Sequence, residues 1–391
     1  MIQPTVAILA FSPIRRDARV LRQIAYLSEH FRLVVIGYGS LENVPSGVEY
    51  HAIAPPDGLG LGRKVRSAFY LPLGRCFPAW GYEAWYWQRS DRQAMLDLLK
   101  ETQAHLIHAN DWHSLPIGAR AAQTSQAQLI LDLHEYAPLQ YPSRSYRGLL
   151  FNPLSDYLIR KYSRQVTATI TVSHSIAEKY QQVYGLHPQV VMNAPPYNPT
   201  VRFTPTDEQH IRLVHHGAAI PARRLDLLIQ TLGQTEPRYT LHFLLTNPTS
   251  AYVSRLQRLA ERLAPGRVFF HPAVKPQEIV SRIAEFDLGF YLLPPTCFNQ
   301  AAALPNKFFD FIAAGLAVCI GPSLEMARLV DQHKFGVVAS SFDPGDAARL
   351  LNSLTTKNID QMKCNALEAR EFLNAEVEMS KLVDLYASLG L

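Results

Sequence analysis

Short hydrophobic runs alternate with amphipathic stretches of helical period, and this pattern is written twice along the chain. VAILAF, then RVLRQIAYLSEH, then RLVVIGY, between Val6 and Tyr38, read as strand, helix and strand, the order a parallel βαβ unit requires. Strands of similar character follow at HLIHA, QLILDL, ATITV and QVVMN, most with helical sequence before the next. A Pro-rich break, NAPPYNPT at Asn193 to Thr200, reads as a linker. Beyond it the pattern restarts with IRLVHHG, YTLHFLL, RVFFH, LGFYLL, LAVCI and FGVVA. The chain is therefore expected to be α/β, with two doubly wound parallel sheets in domains 1–195 and 200–374. Periodicity does not place the last helix, 375–391.

A length of 391 residues suits two domains rather than one core. Hydrophobic content of 48% against 18% charged supports large cores and argues against disorder. Cys76, Cys297, Cys319 and Cys364 are scattered singly, without CxxC or metal-ligand spacing, and read as reduced packing residues of a cytoplasmic protein. The N-terminus MIQPTVAILAFSP carries no basic leader with a long apolar run, and no window reaches the roughly 20 apolar residues of a spanning helix. Neither export nor membrane spanning is expected. A net charge of +5 suits an anionic partner, either a phosphate-bearing donor or an acidic membrane surface. Nucleic acid is not expected, because no zinc-finger spacing, basic region or RNA-binding signature occurs.

The chemistry concentrates in LPNKFFDFIAAGLAVCI, at Leu304 to Ile320. Pro305 and Asn306 open a helix, Phe308, Phe309, Phe311 and Ile312 pack it, and Gly315 stops it in the left-handed conformation. The helix start offers free N–H groups and partial positive charge to a phosphate, with Lys307 beside them. Asp310, about one turn on, suits sugar hydroxyls as a charge-assisted acceptor. A nucleotide-sugar has both parts.

This segment resembles the PNKxxExxAAGxPV signature in the C-terminal half of retaining glycosyltransferases of family 4, which have the two-domain GT-B fold. The resemblance implies two Rossmann-like domains facing an interdomain cleft, with the last helix crossing back onto the first domain. It also implies a nucleotide-sugar bound by the second domain through Gly217, Arg223, Asn299, Gln300, Leu304, Asn306, Lys307 and Asp310. AAIPARRLDLLIQTL, at Ala218 to Leu232, is similar to the family's G…RGLxxLI corner, where Arg223 falls on the phosphate-binding arginine and Arg224 on a glycine. The family's usual second basic residue, a lysine a few positions on, is absent, and Lys307 stands in for it. Many members pair two glutamates with seven residues between them. Asp310 matches the second, while Ala302 stands at the first and cannot hold a sugar; Asn299, Gln300 and backbone N–H groups of FNQAAAL are the substitutes.

Ligands in such sheets bind beyond the carboxyl ends of the strands, which points to the strand-end corners of the first half. SPIRRDARVL resembles the rDaRvl variant of one family branch: Asp17 is a helix cap or an acceptor contact, and Arg15, Arg16 and Arg19 are expected at or near the cleft mouth. NDWHSLP after HLIHA resembles the HxHDW corner. His108, Asp111 and His113 invite a metal reading, but a strand-end His and a helix-capping Asp explain the spacing, so Asp111 and His113 are assigned to the acceptor side and no metal is expected. DLHEYAP resembles DxHE, making His134 the catalytic candidate with Arg223 and Lys307, and Glu135 its partner or an acceptor contact. Ser173 in TVSHSIAEKY reads as an N-cap.

One segment has no counterpart in these corners. From Gly60 to Trp87, Arg63, Lys64, Arg66 and Arg75 are interleaved with Phe69, Tyr70, Phe77, Trp80, Trp85 and Trp87. Two readings stand: peripheral contact with the inner face of a membrane or a lipid-linked acceptor, and a helical hairpin buried by its own aromatics. The function implied is metal-independent transfer of a sugar from a UDP- or GDP-sugar to the hydroxyl of a glycan, lipid-linked or small-molecule acceptor, with retention. Arg223 and Lys307 would stabilise the leaving diphosphate. The nucleotide-sugar is a substrate, and no cofactor is implied. A catalytically degenerate GT-B subunit serving an active partner fits Ala302, and a nucleotide-sugar epimerase would need cleft carboxylates, for which Glu135 is the obvious candidate.

Overall fold

The computed structural model describes residues 3–42, 44–55, 61–246 and 248–391, with 61–65 as backbone only. The chain folds as two compact units: Met1–Met192 with Cys297–Asn299 and Met379–Leu391, and Asn193–Thr296 with Gln300–Glu378. The Pro-rich segment expected to be a linker thus counts with the second unit.

The first unit is built on β1 (Thr5–Pro13), β2 (Arg32–Tyr38), β3 (Val48–Ile53), β4 (Leu106–Asn110), β5 (Gln128–Leu133), β6 (Ala168–Thr171) and β7 (Gln189–Val190). The second uses β8 (Ile211–Gly217), β9 (Tyr239–Leu245), β10 (Val268–Pro272), β11 (Leu288–Tyr291), β12 (Ala317–Ile320) and β13 (Gly336–Val338). The orders are β3-β2-β1-β4-β5-β6-β7 and β10-β9-β8-β11-β12-β13, with parallel pairing throughout. Both sheets start in the middle and reverse direction of growth once, between β1 and β4 and between β8 and β11. Such switch points leave a crevice at the strand ends, where ligands bind.

Central strands are covered on both faces, so they read as unbroken apolar runs; Val6, Ala7, Ile8 and Leu9 of β1 are wholly buried. β3 was not anticipated, because VEYHAI alternates apolar and polar residues, which an edge strand tolerates and a central one does not. The helix Ala375–Ser388 brings Met379, Leu382 and Tyr386 into the same core as Val6, Ile8, Ile24, Leu106 and Ile130. Those residues fall at i, i+3 and i+7, a narrow apolar stripe that is easily overlooked in so short a helix.

Leu61–Cys76 and Pro78–Trp87 form a helical hairpin, with Pro78 at the first position of the second helix. Leu71, Tyr82, Trp85 and Tyr86 are buried. Trp85 and Tyr82 pack against Phe151 and Tyr157 of the helix Tyr146–Tyr162, ring to ring, each at 5.6 Å. Phe69, Phe77 and Trp80 remain exposed, at 58%, 63% and 57%. Gly60 and the side chains of Arg63 and Lys64 lie outside the described residues.

Candidate functional site

In the second unit, β8 ends on His215, His216 and Gly217, and the helix Asn306–Ala313 starts nearby with Pro305 at its cap. Phe308, Phe309, Phe311 and Ile312 are wholly buried, which fixes the helix and carries Lys307 inside with it, only 5% exposed. Lys307 Nζ lies 3.1 Å from His215 Nε2 and 5.4 Å from the centre of the Tyr291 ring. Gly217 has φ +117°, and a β-carbon there would stand 3.4 Å from Lys307 Nζ; the missing side chain leaves the ammonium uncovered. Of the three N–H groups on that ammonium, only the one toward His215 has an acceptor among the described residues. Burial and then the Arg223 charge, partly offset by Asp310, bring the Lys307 pKa down to about 7.

Arg223 ends the short helical turn Pro221–Arg223 and makes no side-chain hydrogen bond or ion pair among the described residues. Its charge is felt at Lys307, His215 and Tyr291. Arg224, at the position where the family pattern has glycine, adopts φ +48° and pairs with Asp226 at 3.0 Å. The backbone there takes the left-handed turn a glycine takes most easily, with a side chain that tolerates it in solvent.

Asp310 does not stand free: its Oδ2 lies 3.3 Å from His216 Nε2. Gln300 Oε1 accepts from the backbone and hydroxyl of Thr296, at 2.7 and 2.9 Å. Asn306 is exposed at the helix start, whereas Leu304 and Ala302 are buried. Asn299 belongs to the first unit and spends its amide on the backbone of Tyr136, accepting at 2.9 Å and donating at 3.1 Å, with Glu135 Oε2 at 3.4 Å.

The first unit gathers a second cluster at the ends of β4 and β5. Arg19, expected at or near the cleft mouth, is 4% exposed and grips Asp132 with two bonds, Nε to Oδ2 at 2.6 Å and Nη2 to Oδ1 at 2.8 Å. Its Nη1 donates to the Val191 carbonyl at 2.9 Å. The correction has a plain cause: Arg19 lies on the inward face of the helix Ala18–Leu27, whose start is capped by Asp17 through the N–H groups of Arg19 and Val20. Asp17 also accepts from Ser12 Oγ at 2.5 Å, so its oxygens are committed to the cap, while Arg16 is exposed. Gln23 donates to Asp132 at 2.8 Å and to Asn110 at 3.2 Å, and His108 meets Tyr386 Oη at 2.5 Å.

His134 completes this cluster. Its Nε2 lies 3.2 Å from Asn110 Oδ1 and 3.5 Å from Asp132 Oδ2, and its Nδ1 lies 3.8 Å from Asp111 Oδ2. Burial disfavours the imidazolium, but the charges of Asp132 and then Asp111 outweigh it and raise the pKa. Asp132 is held well below the carboxylate range, since Arg19 and His134 overcome its burial. Glu135 keeps part of its surface in solvent, yet the protein around its carboxyl and the Asp111 charge push it up to about 7. Asp111 is not a cap; it is the first residue of the helix Asp111–Ser125, with φ +65°, a costly conformation for a non-glycine residue at the end of a central strand. His113 stacks on Trp112 at 3.8 Å, and burial followed by the Arg92 and Arg89 charges lowers it to about 3. His108, Asp111 and His113 thus have separate partners. Ser173 occupies the cap position of the helix His174–Tyr184, but its hydroxyl makes no capping bond.

Sequence reasoning passed over Asp132, His215, His216 and Tyr291. Each stands at a strand end inside a motif already singled out, and only the fold shows which neighbour it meets.

The two sheet orders define a GT-B fold, two Rossmann-like domains in one chain. Residues 43–195 match the sequence model of the family described as Glycosyltransferase Family 4. Match and fold together support a glycosyltransferase like those of family 4. Among solved structures, Anabaena HepE in complex with UDP and glucose is similar at a TM-score of 0.68 and 16% identity, over 98% of this chain and 100% of that one. Sucrose-phosphate synthase from Thermosynechococcus elongatus is similar at 0.70 and 14%, over 99% of both. The α,α-trehalose 6-phosphate synthase of Burkholderia multivorans follows at 0.64 and 11%, over 100% and 97%. At these identities the likeness establishes the fold. No curated protein matches the chain.

Proposed function

We propose that the chain moves a sugar from a UDP-sugar to an acceptor hydroxyl with retention of configuration. The observation that carries this reading is Lys307: a basic side chain only 5% exposed, left uncovered by Gly217 and coupled to Arg223, which has no side-chain partner among the described residues. A buried charge without a counterion is costly, and a diphosphate would supply the missing anion. HepE, of the same fold, is known with UDP and with UDP-glucose, which favours uridine over guanosine. Asp310 would use the oxygen not facing His216 for the ribose hydroxyls. As the glycosidic bond breaks, negative charge grows on the diphosphate, and two preorganised cations lower the barrier without a metal. In this reading the leaving phosphate takes the acceptor proton, and His134, held between Asp132 and Asp111, donates to a sugar hydroxyl.

A lipid-linked acceptor at the inner face of a membrane fits the exposed Phe69, Phe77 and Trp80, interspersed with exposed Arg66 and Arg75. No described helix is long and apolar enough to cross a membrane. Peripheral contact would then rest on the hairpin, and a Phe77→Ser, Trp80→Ser variant should lose co-sedimentation with anionic vesicles.

A second reading, a degenerate subunit that serves an active partner, draws on Ala302, which is wholly buried and offers a sugar nothing. One screen separates the two: binding and slow hydrolysis of UDP- and GDP-sugars by purified protein, with Arg223→Ala and Asp310→Ala. Saturable binding of one nucleotide, lost in both variants, with release of free sugar supports the transferase. Binding without turnover, even when candidate acceptors are added, supports the degenerate subunit.

A further inference from the structure

Lys307 is held by a neutral partner where a carboxylate would be usual. His215 Nδ1 lies 2.9 Å from the Phe290 carbonyl, which can only accept, so that nitrogen carries the proton and Nε2 presents its lone pair to Lys307. The ring is further fixed parallel to Tyr291, 6.1 Å away with an interplanar angle of 8°. His215 is 2% exposed, so this orientation is set by the core. The nearest carboxylate on the same helix, Asp310, faces His216.

We propose that His215 is a positioning residue that aims a partly neutral Lys307 at the donor diphosphate, so that donor binding takes up a proton; this rests on the donor site assigned above. The groups around Lys307 are His215 and His216 from β8, Arg223 from the turn that follows it, Tyr291 from β11 and Asp310 from its own helix. None of them is a carboxylate in contact with the ammonium. Burial and then the Lys307 charge keep His215 well below its ordinary value, in keeping with the neutral acceptor that its bond to the Phe290 carbonyl defines. With Lys307 at about 7, the empty site is largely uncharged at pH 8 and largely charged at pH 6. A bound diphosphate favours the ammonium, so the missing proton enters with it. Uptake should be larger at pH 8 than at pH 6, and affinity should fall as pH rises through the neutral range.

Calorimetric titration of UDP-glucose, whose diphosphate does not itself titrate in this range, tests the proposal. It is run in two phosphate-free buffers of different ionisation enthalpy at pH 6 and pH 8. The wild type should bind with strong uptake at pH 8 and little at pH 6. Lys307→Arg, charged throughout, should bind with none at either pH. His215→Phe should weaken binding about tenfold or more, while His215→Gln, which keeps an acceptor, should stay within about threefold of wild type. Binding by the wild type without uptake at pH 8, or unchanged binding by a folded His215→Phe, overturns the proposal and leaves the donor site standing. Failure of both UDP-glucose and GDP-glucose to bind overturns the donor site and this proposal together.

Discussion

The two strand-end clusters treat charge in opposite ways. In the first, Arg19 and Asp132 meet in a two-bond pair, and Gln23, Asn110, His108 and Tyr386 close the network around them. In the second, Lys307 has one neutral partner and Arg223 has none among the described residues. A buried charge matched by its own protein is scaffold, while one left open is an invitation to a ligand of opposite sign. The strand-end polar residues of the first unit therefore hold the frame, with His134 and Glu135 at its border. Those of the second are the ones the proposed function assigns to the donor.

The sharpest way to break this contrast is to remove one partner of the closed pair. Asp132→Ala leaves Arg19 buried without its carboxylate, and should cost about 3–5 kcal/mol in chemical denaturation. Arg19→Met combined with Asp132→Leu should recover most of that loss, since neither charge is then stranded. Equal destabilisation by single and double variants would mean that the pair is not the unit at work.

Arg223→Ala should behave in the reverse manner. The loss of charge-assisted bonds to a diphosphate, about 1.5–3 kcal/mol, weakens UDP-glucose binding about tenfold to a hundredfold, while the denaturation midpoint stays where it was. A large stability loss in this variant would show that Arg223 has an internal partner after all.

Tyr386→Phe removes the hydroxyl at His108 and should cost about 1 kcal/mol, detaching the last helix slightly without touching donor affinity. The smallest effect belongs to His134. Its native pKa is raised, so it stabilises the fold below the ordinary histidine range, and that contribution is lost as pH rises through the raised value. An NMR titration of its ring protons should show a midpoint above that of a free histidine, falling in Asp132→Asn. A midpoint unaffected by Asp132→Asn would detach His134 from the closed network.

The fold was legible because strands buried on both faces leave unbroken apolar runs, and because the run of strand and helix is repeated. The edge strand Val48–Ile53 escaped for the complementary reason that none of its residues is fully buried. On the proposed donor side, Lys307, Arg223 and Asp310 were singled out from local motifs, since a helix start and its first turn are short-range features. What joins them is long-range: Lys307 meets His215 from a strand far earlier in the sequence, and Asp310 meets His216. Arg19 misled most, because an arginine next to a helix cap looks solvated unless its partner Asp132, on a different strand, is known to lie beneath it. Asn299, read as a sugar contact, has its amide occupied by the Tyr136 backbone, a partner that local sequence does not show.

A crystal structure of the protein grown with UDP-glucose tests the central claim most directly. The diphosphate should lie against Arg223, the Lys307 ammonium and the start of the helix Asn306–Ala313, with Arg19 and Asp132 still paired and untouched. A diphosphate seated elsewhere, or drawn to Arg19 at the expense of its pair with Asp132, would contradict the account.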